Sequence, residues 1–167
     1  MPQSLANVLV HIVFSTKDRI PFLREETMRK QLHAELGGTS KTLNCPPTIV
    51  GGVSDHIHLL ACQSRTITLS DWVKELKRVT SIWIKQQSPQ FETFAWQAGY
   101  GAFSVSHSQL RNVVRYIQEQ ETHHQKTDFK TELRAFFNRH EMEYMTNGMS
   151  GIEDDGTLSG YSQFVFR

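Results

Sequence analysis

The sequence predicts an α+β domain, a ferredoxin-like antiparallel sheet with helices packed on it. Three observations carry this. Short runs rich in Val, Ile and Phe near the N-terminus and over residues 48–62 have the two-residue period of strands. Stretches beginning near Arg24 and Thr68 repeat apolar residues every three or four positions, the period of helices. They follow one another as strand, helix, strand, strand, helix, strand, the order of a split β-α-β unit, before further helices.

Taken in order, Asn7 to Ser15 (NVLVHIVFS) is a strand, and Pro21 stops regular structure in the loop after it. Arg24 to Leu36 is a helix through Met28, Leu32 and Leu36, with Gly37-Gly38 as its expected end. Thr48 to Val53 and His56 to Cys62 are two strands joined at Ser54-Asp55. In the second of these, Ile57, Leu59 and Leu60 suit a buried face opposite the histidines. A helix capped by Thr68 or Ser70 then carries Trp72, Val73, Leu76, Val79, Ile82 and Trp83 as far as about Gln87, before Ser88-Pro89. Phe94 to Ser106 is aromatic and Gly-rich, one bent strand or a short pair, and Ser108 opens a helix with Leu110, Val113, Val114 and Ile117. A further helix is expected from Asp128 to Met142, then a mobile Gly, Ser and acid-rich segment, 146–160, and a terminal YSQFVF edge strand.

The bulk numbers set limits. A chain of 167 residues suits one domain, and 38% hydrophobic with 21% charged residues is the balance of a soluble globular protein. No apolar run reaches the ~18 residues a membrane helix needs, and no basic stretch precedes the apolar N-terminal run, so no membrane partner and a cytoplasmic location are expected. Cys45 and Cys62 form no CxxC and are expected as reduced thiols. The net charge of +1 hides an asymmetry. Through His140 there are 17 Lys and Arg against 12 Asp and Glu, and beyond it one Arg against five acids. A mildly basic body with an acidic tail is compatible with a phosphate-binding face.

The chemistry centres on His56-Ile57-His58. Residues i and i+2 of a strand share a face, so the two imidazoles project side by side and suit a divalent metal. One packed and one solvated histidine would satisfy the same triplet. In the helix after Ser108, Tyr116 and Gln120 stand one turn apart on one face, and the Gln carbonyl is a hard oxygen donor that could complete a two-His, one-oxygen set for Mg2+ or Mn2+. A plain surface pair fits that spacing equally well.

Taken together, these motifs resemble the HUH single-tyrosine transposases of the smallest bacterial insertion sequences and their domesticated, repeat-associated relatives. His56-Ile57-His58 fits the His-hydrophobe-His signature. Around it lie Thr16, Lys17 and Arg19 after the first strand, Asp55 before the triplet and Leu59-Leu60 after it. Further on come Leu76, Lys77, Thr80 and Ser81 in a helix, Trp96, Gln97 and Tyr100, and finally Tyr116, Ile117 and Gln120. The matches run in order from about Val8 to His140. Thr80 departs modestly from the family's frequent Ser, and the acidic tail beyond His140 is not matched to the family pattern. Gln120 followed by Glu121, where the domesticated branch tends to Asn-Pro, favours the mobile-element branch.

The resemblance implies a catalytic domain over 1–145 and an acidic Gly/Ser-rich tail over 146–167. It implies that Tyr116 attacks single-stranded DNA to leave a 5′-phosphotyrosine and a free 3′-hydroxyl. His56, His58 and Gln120 would hold Mg2+ or Mn2+. A phenol has an ordinary pKa near 10, and no dedicated base is evident. The implied partners are single-stranded or hairpin DNA and a second copy of the chain, with the site within one subunit or shared between two. Lys17, Arg19, Lys77, Arg78, Arg111, Arg115 and Trp96 are the expected DNA contacts, with Trp83 and Tyr100 as weaker stacking positions. His11 reads as a packed histidine, and His123 and His124 as exposed ones. Two other readings remain open: a replication initiator or relaxase, which would want a third His or a second tyrosine, and a non-catalytic DNA-binding domain.

Overall fold

The computed structural model describes residues 5–120 and, beyond them, Thr131 alone. The elements are β1 (Leu9–Ser15), α1 (Glu26–Thr42), β2 (Pro47–Gly52), β3 (His56–Cys62), α2 (Leu69–Lys85), β4 (Gly101–Val105) and α3 (Leu110–Gln118). Single 3-10 turns lie at Lys17–Arg19, Pro89–Phe91 and His107–Gln109. The strands pair antiparallel in the order β2-β3-β1-β4. This is the arrangement two β-α-β crossovers produce when their outer strands flank the inner pair, so the α+β, ferredoxin-like expectation holds.

Alternation along the strands divides the sheet into two faces. Val10, Ile12 and Phe14 of β1 join Ile57, Leu59 and Ala61 of β3 in one core with Leu32 and Leu36 of α1 and Trp72, Leu76 and Ile84 of α2. The residues between them face the other way. In register, Ser15 lies opposite His56, Val13 opposite His58 and His11 opposite Leu60. Leu60 therefore belongs to the histidine face rather than the opposite one, and is itself fully buried. Helix α3 packs on this second face, against β2 and β3.

Two boundaries differ from the sequence reading. Helix α1 runs through Gly37-Gly38 to Thr42. A glycine inside a helix costs about 1 kcal/mol, and tertiary packing outweighs that here. Buried Ser40 donates to the Cys45 carbonyl at 2.6 Å and accepts from the Trp72 indole at 3.1 Å, tying the last turn to α2. The chain reverses only at Asn44, in the left-handed region at φ 58°. The aromatic segment is the other case. Only Gly101–Val105 is strand, and residues 94–100 form a loop held to β1 by the Thr16–Trp96 bridge. Helix α2 follows its expected course, with the Thr68 hydroxyl accepting from the Asp71 amide as its N-cap.

Among the described residues no helix is long and apolar enough to cross a membrane. The expected helix over 128–142, the segment 146–160, the terminal strand, the tail, His123 and His124 lie outside the described residues.

Candidate active site

His56 and His58 stand side by side on β3, both fully buried, with ring centroids 5.2 Å apart. Each ring is tied back through Nδ1. His56 Nδ1 lies 2.7 Å from Asp55 Oδ1. The second carboxylate oxygen of Asp55 accepts from Arg19 Nη2 at 2.7 Å and Nε at 3.1 Å. Burial alone would raise the Asp55 pKa, but the His56 hydrogen bond and then Arg19 outweigh it and hold the carboxyl at about 2. His56 moves the other way: burial pushes it below its ordinary value, against the pull of Asp55. Near neutral pH the contact is therefore a carboxylate accepting from a neutral imidazole, and Arg19 balances the charge. An ionised carboxylate can only accept, so the proton of His56 sits on Nδ1 and its lone pair on Nε2.

The backbone is strained to place Arg19 there. Asp18 and Arg19 both take left-handed φ values, 53° and 55°, a conformation costing roughly 1–2 kcal/mol per non-glycine residue. The sequence placed Arg19 among the phosphate contacts, but the structure turns its guanidinium inward onto Asp55.

His58 has a different partner. Its Nδ1 lies 2.9 Å from Nε2 of His11, and the two rings stack with centroids 5.1 Å apart. His11 is indeed packed, at 1% exposure, but packed against a site residue.

Helix α3 brings the remaining pair. The Tyr116 ring meets His58 edge-on at 5.5 Å and His11 at 6.2 Å. Gln120, one turn on and 1% exposed, donates through Nε2 to the Tyr116 carbonyl at 3.3 Å. Nε2 of both histidines, the Tyr116 hydroxyl and Oε1 of Gln120 are all buried atoms. The four residues singled out from sequence thus meet on one face of the sheet, within one chain.

The tyrosine hydroxyl lies beside two imidazole nitrogens and an amide oxygen, donors of the kind that can hold a divalent cation. Residues 4–120 match the family described as Transposase IS200 like. The chain belongs to this family. No curated protein matches. The fold is similar to that of a protein assigned as a transposase in Deinococcus radiodurans R1, at 20% identity over 72% of this chain and 95% of that one, with a TM-score of 0.56. It is also similar to a REP-associated tyrosine transposase bound to a REP hairpin, at 13% identity over 74% and 72% of the two chains, with a TM-score of 0.55. At such identities these two structures speak for the fold, and the family rests on the match over 4–120.

The transposase uses its other singled-out residues unevenly. Lys17, Arg111 and Arg115 are exposed. Arg78 pairs on the surface with Glu75 at 2.8 Å. Lys77 is half-buried, donating to the carbonyls of Gln97 and Gly99, with its ammonium 5.0 Å from the Phe14 ring centroid. Burial lowers its pKa to about 8. Trp96 is more buried than the other expected DNA contacts apart from the ring edge it turns to the groove. Its indole donates to Thr80 at 3.0 Å and its ring packs edge-on against Phe14 and Phe94, so it is largely buried, with an edge lining the groove beside α2. Trp83 also packs against the core, whereas Tyr100 is 37% exposed. Sequence reasoning missed the His11 contact and the inward role of Arg19.

The seat of α3 depends on one glycine. A Cβ at Gly51 would lie 2.6 Å from Ile117 Cγ2 and 2.8 Å from the Ile117 carbonyl oxygen. Because one neighbour is backbone, a side chain there must push α3 off the sheet. Gly51→Val should destabilise the transposase by about 1–3 kcal/mol in urea unfolding. A displacement of only about 1 Å at the tyrosine can cost on the order of 100-fold in rate. A Gly51→Val protein with unchanged stability and rate would show that α3 is not seated by this contact.

Proposed function

We propose that this transposase cuts and rejoins single-stranded DNA through a 5′-phosphotyrosine on Tyr116, with a divalent cation held by His56, His58 and Gln120. The observation that carries the reading is the meeting of Tyr116 with the buried histidine pair.

In the cutting step the Tyr116 oxygen attacks phosphorus and the P–O3′ bond breaks. The 3′ oxygen leaves with a proton and the phosphate stays on the tyrosine. Rejoining reverses this with the 3′-hydroxyl of another end, so the bond energy is kept and no nucleotide cofactor is consumed.

The donor set fits a metal. Among the described residues no group of three His, Cys, Asp and Glu is placed to hold one; the third protein ligand we propose, as the family resemblance implies, is the amide oxygen of buried Gln120. Two neutral imidazoles and an amide oxygen suit Mn2+ or Mg2+, with other positions left to water and phosphate. When bound, the cation supplies positive charge to a non-bridging phosphate oxygen. Asp55 and His11 fix the ring orientations and Arg19 keeps Asp55 ionised. Hairpin DNA is the substrate we favour, supported by the neighbour bound to a REP hairpin. A twofold dimer would bring two element ends together, and Gln120-Glu121 favours a mobile element over a domesticated one.

The test uses one oligonucleotide spanning a hairpin and its flank, labelled at either end, with Mg2+ or Mn2+. A denaturation-resistant adduct should carry the 3′ label only and vanish with EDTA. An adduct carrying the 5′ label, or one indifferent to chelation, would reject this mechanism. Hairpin binding with no adduct in any metal would favour the non-catalytic reading.

A further inference from the structure

We infer that the groove between α2 and residues 94–100 is a second DNA subsite, one that grips the sugar-phosphate backbone flanking the cut. Its identification with DNA rests on the proposed function. Its existence as a polyanion site rests on what lines it.

The groove encloses about 680 Å³. Four cations line it, Lys74, Lys77, Arg78 and Lys85, along with Ser81 and Tyr100, and no carboxylate does. Arg78 is paired with Glu75, so on a chain whose net charge is only +1 the groove's positive charge rests on Lys74, Lys77 and Lys85. Positions 74, 77, 78, 81 and 85 recur at helical spacing and form one stripe of α2. From Lys74 to Lys85 the stripe covers about 16 Å at 1.5 Å per residue, long enough to meet more than one phosphate of a strand. On the facing wall, Lys77 occupies the carbonyls of Gln97 and Gly99 that would otherwise repel a phosphate. Lys74 and Lys85 are exposed.

Position ties the groove to the active site. Gln97, on its wall, donates its amide to the Ser15 carbonyl at 2.9 Å and accepts at Oε1 from the Asp18 amide at 3.2 Å. The Lys17 amide donates to the Ala95 carbonyl at 2.8 Å. Ser15 is the register partner of His56. The groove and the histidines therefore lie on opposite faces at the same end of the sheet, with exposed Lys17 on the turn between them. A strand leaving the reacting phosphate can round this end and enter the groove without crossing the sheet.

The experiment measures binding of a fluorescent hairpin oligonucleotide across a salt series. The Lys74→Gln/Lys85→Gln double variant should bind about 10-fold more weakly near 0.1 M salt. Its slope of log K against log salt should flatten by about 1.5–2, since each lost phosphate contact removes roughly 0.7–0.9. A charge-matched control, Lys30→Gln/Lys41→Gln on α1, should stay within about 2-fold with its slope unchanged. Equal losses in both pairs would reduce the effect to net charge and overturn the subsite, as would no loss in the first pair. Circular dichroism of both doubles guards against misfolding. The two readings fail separately. Wild-type protein that forms no adduct sinks the phosphotyrosine chemistry but not the groove. An adduct with an unchanged slope in the groove variant sinks the groove alone.

Discussion

Tyr116→Phe is expected to remove the covalent protein–DNA adduct altogether while hairpin affinity stays within about 2-fold. The substitution deletes one oxygen and keeps the ring whose edge meets His58 at 5.5 Å and His11 at 6.2 Å. Losing a buried hydroxyl costs on the order of 1 kcal/mol, too little to unfold the domain. Loss of a nucleophile is of another order, about 10⁴-fold or more in cleavage rate. The contrast between the two magnitudes makes the experiment decisive: a folded, DNA-binding, adduct-free protein. Denaturing gels read the adduct, anisotropy the affinity and urea unfolding the stability. An adduct persisting in Tyr116→Phe would move the nucleophile elsewhere, with exposed Tyr100 the next to substitute.

Local periodicity explains which parts of this site could be read from sequence. The two-residue repeat of a strand put His56 and His58 on one face, and the helical repeat stacked Gln120 beside Tyr116. Both are short-range geometries. The links between elements were not legible, because they depend on register. His11 reaches His58 only because β1 and β3 pair with Val13 opposite His58, which makes the two histidines diagonal neighbours. A slip of one residue would turn His11 into the α1/α2 core. Arg19 looked like a phosphate ligand because charges in loops usually face solvent. Nothing local announces two left-handed residues that turn it back onto Asp55. Trp96 is buried where its loop suggests exposure. It sits in a loop, where an aromatic suggests a binding surface, yet that loop is drawn against the core by the Thr16 bridge and the Thr80 hydrogen bond. Gly37-Gly38 follows the same logic. Local propensity says stop, and the packing of Ser40 on Trp72 carries the helix on.

The His11 contact supports the second large effect. If His58 offers Nε2 to a cation, its Nδ1 carries the proton and must donate it, and the acceptor at 2.9 Å is His11 Nε2. His11 would then hold both the tautomer and the angle of the ligating ring, as outer partners of metal-bound histidines do. Removing such a partner typically costs about 10–100-fold in metal affinity. His11→Phe fills a similar volume among Phe103, Tyr116 and His58 but leaves the Nδ1 proton of His58 without its acceptor there. We expect Mn2+ affinity, followed by electron paramagnetic resonance of the free ion, to fall into that 10–100-fold range. The Mn2+-induced rise in unfolding temperature should shrink with it, because a ligand stabilises only in proportion to its binding. His11→Gln restores an acceptor through its amide oxygen and should recover most of the affinity. If the Phe and Gln variants bind Mn2+ alike, the residue fills space and does not orient His58. If only the Gln variant recovers, a histidine that looked like core packing in the sequence belongs to the metal site.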